Sequence, residues 1–161
     1  MATCQICGRI IKDKQGVIAH HGYTRPGDGW QTSSCSGARY PSYQESRECI
    51  GEVIPGLASH IARVTEDLAE LQRNPPETLE GLKSKGYRRE EAYTVTRPEG
   101  FNPERYYSSI PYTYENLFSN RVHNWQAEIK HATNALNYLK ARYAKWAALE
   151  IGPDTDWPAA R

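Results

Sequence analysis

The chain of 161 residues is 39% apolar with a mean hydropathy of −0.75, too little for one generous spherical core and better suited to an elongated helical body. Twenty basic residues against nineteen acidic ones leave a net charge of +1, which removes the global electrostatic argument for a dedicated nucleic-acid binder. No apolar run reaches the length of a membrane span and the N-terminus carries no signal-peptide core, so the expectation is a soluble chain in the cytoplasm with no membrane partner.

Residues 1–49 hold all four cysteines, together with many glycines, serines and aromatics. Without a secretion signal, clustered thiols point to metal rather than to disulfides. Cys4-Gln5-Ile6-Cys7-Gly8-Arg9 reads as a knuckle: a tight turn aims backbone N–H groups at two sulfurs that can share one tetrahedral ion. Twelve residues separate Cys7 from His20, as in the first half of a two-Cys, two-His finger, but after His21 no histidine follows until His60. Cys35, between Ser34 and Ser36-Gly37, is the natural additional thiolate. Cys49 competes with it, although at the start of a helix it also suits a small buried position. Neighbours on a strand face opposite sides, so only one of His20 and His21 can reach the metal. The expected cofactor is one structural zinc ion per chain, held by Cys4, Cys7, Cys35 and either His20 or His21. Val17–His21 and Trp30–Ser33 are expected to pair as a hairpin around the Arg25-Pro26-Gly27-Asp28-Gly29 turn.

Along residues 50–73, Val53, Leu57, Ile61, Val64, Leu68 and Leu71 fall on one helical face. Proline is tolerated in the first turn of a helix, which predicts a regular start near Pro55 and an end at Asn74-Pro75-Pro76. Residues 74–116 form an insertion. Glu90–Thr96 has strand character, Arg97-Pro98-Glu99-Gly100 reads as a turn, and Tyr106, Tyr107, Tyr112 and Tyr114 crowd around Pro111. In residues 117–151, Val122, Trp125, Ile129, Ala132, Leu136, Leu139, Tyr143 and Trp146 alternate by three and four, a heptad seam closed by Gly152-Pro153. Residues 152–161 read as an extended tail.

The predicted architecture is α+β and mainly α: a zinc-bound β-hairpin module, then an antiparallel helical hairpin with an inserted irregular or β segment. The longer second stripe leaves surplus seam to pack either on the zinc module or on another subunit, and the expected partner includes a second copy, a homo-oligomer through that seam. Removing one thiolate should melt residues 1–49 while the helices persist.

The string Cys4-x2-Cys7-Gly8-Arg9, followed by His20-His21-Gly22-Tyr23-x-Arg25-Pro26-Gly27-x-Gly29-Trp30-Gln31-Thr32-x-Ser34-Cys35-x-Gly37-Ala38-Arg39, resembles small zinc-finger-like proteins encoded by bacteriophages and prophages. The resemblance covers the first quarter of the chain. It implies a phage origin, residence in the host cytoplasm and a zinc site, and it brings no activity with it. Related shorter fingers keep a single His-Gly pair between the knuckle and a Cys-x-Gly turn, which by resemblance favours His21.

Four functional readings follow. The first is a non-enzymatic interaction protein whose zinc module fixes one end of a helical hairpin that binds a protein partner, such as a component of host defence. The second is nucleic-acid binding through Arg25, Arg39, Arg47, Lys12 and Lys14, with Trp30, Tyr23, Tyr40 and Tyr43 stacking on bases. Six basic against four acidic residues in the first 49 give that reading little charge, and the aromatics serve equally as a small core around the metal. A third reading is a nuclease of the HNH or His-Me finger kind using His20 or His21, but Ser36–Ile50 supplies only Glu45 and Glu48 as carboxylates. The fourth is a nucleotide-sequestering pocket of Lys85, Arg88, Arg89 and Arg105 beside the tyrosines. No residue set is named as catalytic.

Overall fold

The computed structural model describes residues 2–22, 33–84, 90–105 and 108–149. Short strands come first: β1 (Ala2–Thr3) pairs antiparallel with β2 (Ile10–Ile11), and β3 (Asp13–Lys14) pairs antiparallel with β4 (Val17–Ile18). They are followed by α1 (Glu48–Arg73), the hairpin β5 (Thr78–Ser84) and β6 (Glu90–Thr96), and α2 (Tyr114–Leu149). The fold is thus mixed α+β and mainly helical, with small N-terminal hairpins ahead of two long helices. No helix among the described residues is long and apolar enough to cross a membrane. The contacts divide the chain into two compact units, Met1–Ala58 with Ala135–Arg161, and Ser59–Asn134.

In the first unit, β1 and β2 flank the knuckle, whose turn is closed by Cys4 N–H to the Arg9 carbonyl at 2.9 Å and Gly8 N–H to the Cys4 carbonyl at 3.1 Å. Val17–Ile18 takes Asp13–Lys14 as its partner across Gln15-Gly16, both at positive φ (58° and 82°), the conformation of the two-residue hairpin turn. Residues 23–32, which carry the expected turn and most of the expected partner strand, lie outside the described residues. The N-terminal strands are tied to the loop before α1, where Tyr43 N–H reaches the Thr3 carbonyl at 2.8 Å and Ile18 N–H the Tyr40 carbonyl at 2.9 Å.

Helix α1 starts earlier than its proline suggests. The Ser46 hydroxyl accepts the Glu48 N–H at 3.0 Å, satisfying a free donor of the first turn. The helix runs on through an exposed Pro55, which lies inside it rather than at its start. Cys49 and Ile50, 1% and 0% exposed, anchor the turns ahead of the proline, so tertiary packing outweighs its cost. Tyr43, Ile50 and Leu139 form the core of this unit, and Ile6, Val53, Ile54, Leu57, Tyr143 and Trp146 pack against them. The knuckle and the ends of both helices therefore share one core.

In the second unit, Leu71, Leu79, Tyr114, Phe118 and Val122 are buried together, with Leu68, Val95, Phe101, Leu117 and Trp125 against them. Phe101 meets Tyr114 and Phe118 edge-on at 4.9 and 5.0 Å between ring centroids, a favourable aromatic geometry. The Thr113 hydroxyl accepts the Asn116 N–H at 3.2 Å and caps α2, which begins at Tyr114 rather than at 117. Strands β5 and β6 alternate, with Leu79 and Val95 inward and Leu82 exposed. Gly81 faces Tyr93 across the ladder, and a Cβ there would lie 2.6 Å from the tyrosine ring, so any larger residue would displace that ring. Seam residues Val122 and Trp125 pack in this unit and Leu139, Tyr143 and Trp146 in the other, in each case against residues of the same chain.

Candidate metal centre

Cys4 and Cys7 stand on the knuckle between β1 and β2, His21 follows β4, and Cys35 opens the turn closed by Ala38 N–H to the Cys35 carbonyl at 2.9 Å. A backbone bond from Cys35 N–H to the His21 carbonyl, also 2.9 Å, holds the last two side by side. One ligand atom from each of Cys4, Cys7, His21 and Cys35 falls within 4.8 Å of all the others. The Cys4 and Cys35 sulfurs are 3.9 Å apart, and the Cys7 sulfur is 3.3 Å from His21 Nε2. Tetrahedral bonds of about 2.3 Å to sulfur and about 2.0 Å to nitrogen would place sulfurs about 3.8 Å apart and sulfur and nitrogen about 3.5 Å apart. The four side chains could therefore hold a metal ion with little rearrangement. Gly37 is required beside them, since a Cβ at that position would sit 2.5 Å from the Cys4 sulfur.

The two histidines have different surroundings. His21 is buried, and its Nδ1 lies 2.8 Å from the Ala19 carbonyl. A carbonyl can only accept, so Nδ1 carries the proton and Nε2 turns its lone pair toward the thiols, the usual arrangement behind a metal-binding imidazole. His20 is exposed and stands outside the cluster. Arg39 Nε donates to its Nε2 at 3.0 Å, which leaves its Nδ1–H to donate to Ser34 Oγ at 2.8 Å. With Nε2 occupied and Nδ1 protonated, His20 is not placed as a base for Ser34.

Burial pushes the Cys4 thiol up to about 12, against the opposing pull of the Cys7 and Ile6 amides, so a metal has to displace a held proton there. At Cys7 desolvation also pushes upward, but the Arg9 amide, the His21 ring and Cys4 together outweigh it and the net shift is downward. Cys49 lies outside the cluster. It is buried, its sulfur donates to the Ser36 carbonyl at 3.6 Å, and burial above all raises its thiol to about 11, the state of a structural rather than a reactive cysteine.

Of the residues expected to meet nucleic acid, Arg39, Arg47, Tyr40 and Tyr43 are engaged within the fold. Arg39 binds His20, and the Arg47 guanidinium lies 4.3 Å from the Tyr143 ring centroid and 4.9 Å from that of Trp146. Tyr43 is buried with its hydroxyl on the Arg142 carbonyl, and the Tyr40 hydroxyl donates to Glu52. Arg25, Trp30 and Tyr23 lie outside the described residues, as do Lys85, Arg88, Arg89, Tyr106 and Tyr107 of the other basic and aromatic cluster. Within that cluster Arg105 is exposed, Tyr112 meets Tyr93 and Lys83, and Tyr114 belongs to the core of the second unit.

One residue near the centre had no marker in the sequence. Arg142 of α2 donates to the carbonyls of Cys4 and Gln5, yet it falls off the heptad seam, where spacing assigns an ordinary surface cation. The fully buried Gln5 is similarly unmarked; its amide bridges the Pro41 carbonyl and the Ile50 N–H. No protein-family model, curated protein or solved structure matches the chain.

Proposed function

We propose that this chain is a non-enzymatic interaction protein of the phage type, in which one structural zinc ion per chain organises a surface that binds a protein partner. The observation that supports this reading is the closed ligand set of Cys4, Cys7, His21 and Cys35. Three thiolates and an imidazole at tetrahedral spacing suit zinc, and a site completed by four protein ligands keeps no open position for water or substrate. The neighbouring histidine supports it as well, since His20 is held by Arg39 and Ser34 instead of facing a second ion. The phage assignment rests on the sequence resemblance alone.

Native mass spectrometry of the gently purified protein tests the first half of the proposal, with one zinc per chain expected. Zero zinc with paired thiols overturns it. The second half predicts one protein captured at fixed stoichiometry by the wild type and lost with Cys35→Ser. Metal-dependent cleavage of nucleic acid by the purified protein, or an affinity for nucleic acid that falls steeply with salt, would overturn it in favour of another function.

A further inference from the structure

We propose that Arg142 is a positioning residue of the metal centre: from α2 it grips the backbone of the knuckle and holds the Cys4 side of the ligand set in its binding geometry. The inference rests on the zinc reading above and concerns how that site is built.

Two hydrogen bonds make the grip. Arg142 Nε donates to the Gln5 carbonyl at 3.1 Å, and Nη2 donates to the Cys4 carbonyl at 3.2 Å. Each carbonyl belongs to a planar trans peptide whose N–H points the opposite way. The N–H paired with the Gln5 carbonyl is that of Ile6, and the amides of Ile6 and Cys7 are directed at the Cys4 sulfur. Holding the Gln5 carbonyl therefore sets the direction of an N–H that stabilises the thiolate. The Cys4 carbonyl also accepts Gly8 N–H at 3.1 Å, so the same guanidinium braces the turn that brings Cys7 round.

The guanidinium is itself held in place. It lies 4.1 Å from the centroid of the Tyr43 ring and 5.6 Å from that of Tyr138, and the Tyr43 hydroxyl donates to the Arg142 carbonyl at 2.6 Å. Trp146 Nε1 in turn donates to the Tyr43 carbonyl at 2.6 Å. A planar fork resting against two rings meets two adjacent carbonyls with little entropy left to lose, which a lysine cannot reproduce. Charge adds to the geometry. A divalent ion with three thiolates and a neutral imidazole carries a net negative charge, and Arg142 sets a cation against the backbone that supports it.

The test compares the wild type with Arg142→Ala, Arg142→Lys and Leu139→Ala. Leu139 lies in the same core but is not a partner in the grip, so its truncation controls for lost stability. Helix content is checked by circular dichroism. Zinc affinity is read by chelator competition, and cobalt(II) added alone reports ligand geometry through its thiolate absorption bands. Arg142→Ala is expected to weaken zinc binding about 10- to 100-fold, the range for residues that orient metal ligands, and to shift the cobalt bands. Leu139→Ala is expected to lower stability while keeping affinity and bands close to wild type. Equal zinc affinity in wild type and Arg142→Ala overturns the proposal, as do affinity losses in both alanine variants that merely track stability. Should Arg142→Ala not fold, Arg142→Lys decides: weaker zinc binding at wild-type helix content supports the two-carbonyl grip, and wild-type affinity overturns it. A wild type that binds no metal overturns the zinc reading itself, an outcome distinct from failure of the Arg142 role.

Discussion

His20 and His21 are chemically identical neighbours, and their difference comes from what each ring nitrogen touches. The Ala19 carbonyl accepts the Nδ1–H of His21 and so leaves Nε2 free for the thiols, whereas Arg39 occupies Nε2 of His20. His21→Ala is therefore expected to weaken metal binding by at least about tenfold, since it removes a ligand, while His20→Ala leaves metal content at one ion per chain. Chelator competition on the two variants checks this, and equal losses would remove the distinction. Alternation along the expected strand admits one of the pair but cannot say which; β4 ends at Ile18, ahead of both, and the rings are set apart by the neighbouring Ala19 carbonyl and by the return of Arg39 against His20. Cys4, Cys7 and Cys35 are marked by residue type and spacing, and Cys49 by its place at the start of a helix.

Among the elements, α1 shows where a local rule yields to packing. An interior proline costs about 3 kcal/mol relative to alanine, which is why the sequence places the helix start near Pro55. Helix α1 instead begins at Glu48, capped by Ser46 and anchored by Cys49 and Ile50. Pro55→Ala should restore the missing helical N–H and remove the ring. Proline also stiffens the unfolded chain, an advantage of up to about 1 kcal/mol that the variant loses, so a net gain of about 1–2 kcal/mol is expected. Urea denaturation reads it as a higher midpoint at unchanged slope; no gain would mean that the helix is interrupted at that point. The hairpin carries a related lesson. Glu90–Thr96 is legible as a strand, but Thr78–Ser84 is interrupted by Gly81, and its role is clear only once Tyr93 is found lying over that glycine.

For the whole molecule, the N-terminal residues group with the ends of both long helices. One compact unit joins Met1–Ala58 to Ala135–Arg161, because Ile6 and Tyr43 share a core with Ile50, Leu139, Tyr143 and Trp146. Chelation is therefore expected to affect more than the N-terminal segment. Hydrogen exchange should accelerate in residues 2–58 and 135–149 together, while Leu71, Leu79, Phe118 and Val122 in the other unit stay protected by their own core. Faster exchange confined to residues 2–49, with both helix ends unchanged, would restore the simpler picture of a module that melts alone.

The sequence by itself determines the chemistry of the ligands and the existence of both long helices, since thiol clustering and a 3.6-residue period are local properties. It also places a strand at Glu90–Thr96 and a helix stop at Pro75-Pro76. Only the tertiary structure sets His21 beside the three thiols and His20 apart from them, admits a proline inside α1 and assigns Arg142 to the knuckle. The bonds from Arg142 to Gln5 and Cys4 span 137 and 138 residues of chain, and the Tyr43 hydroxyl bond to Arg142 spans 99. Such contacts depend on where the far end of α2 returns. No window of neighbouring residues encodes that return; the shared core does.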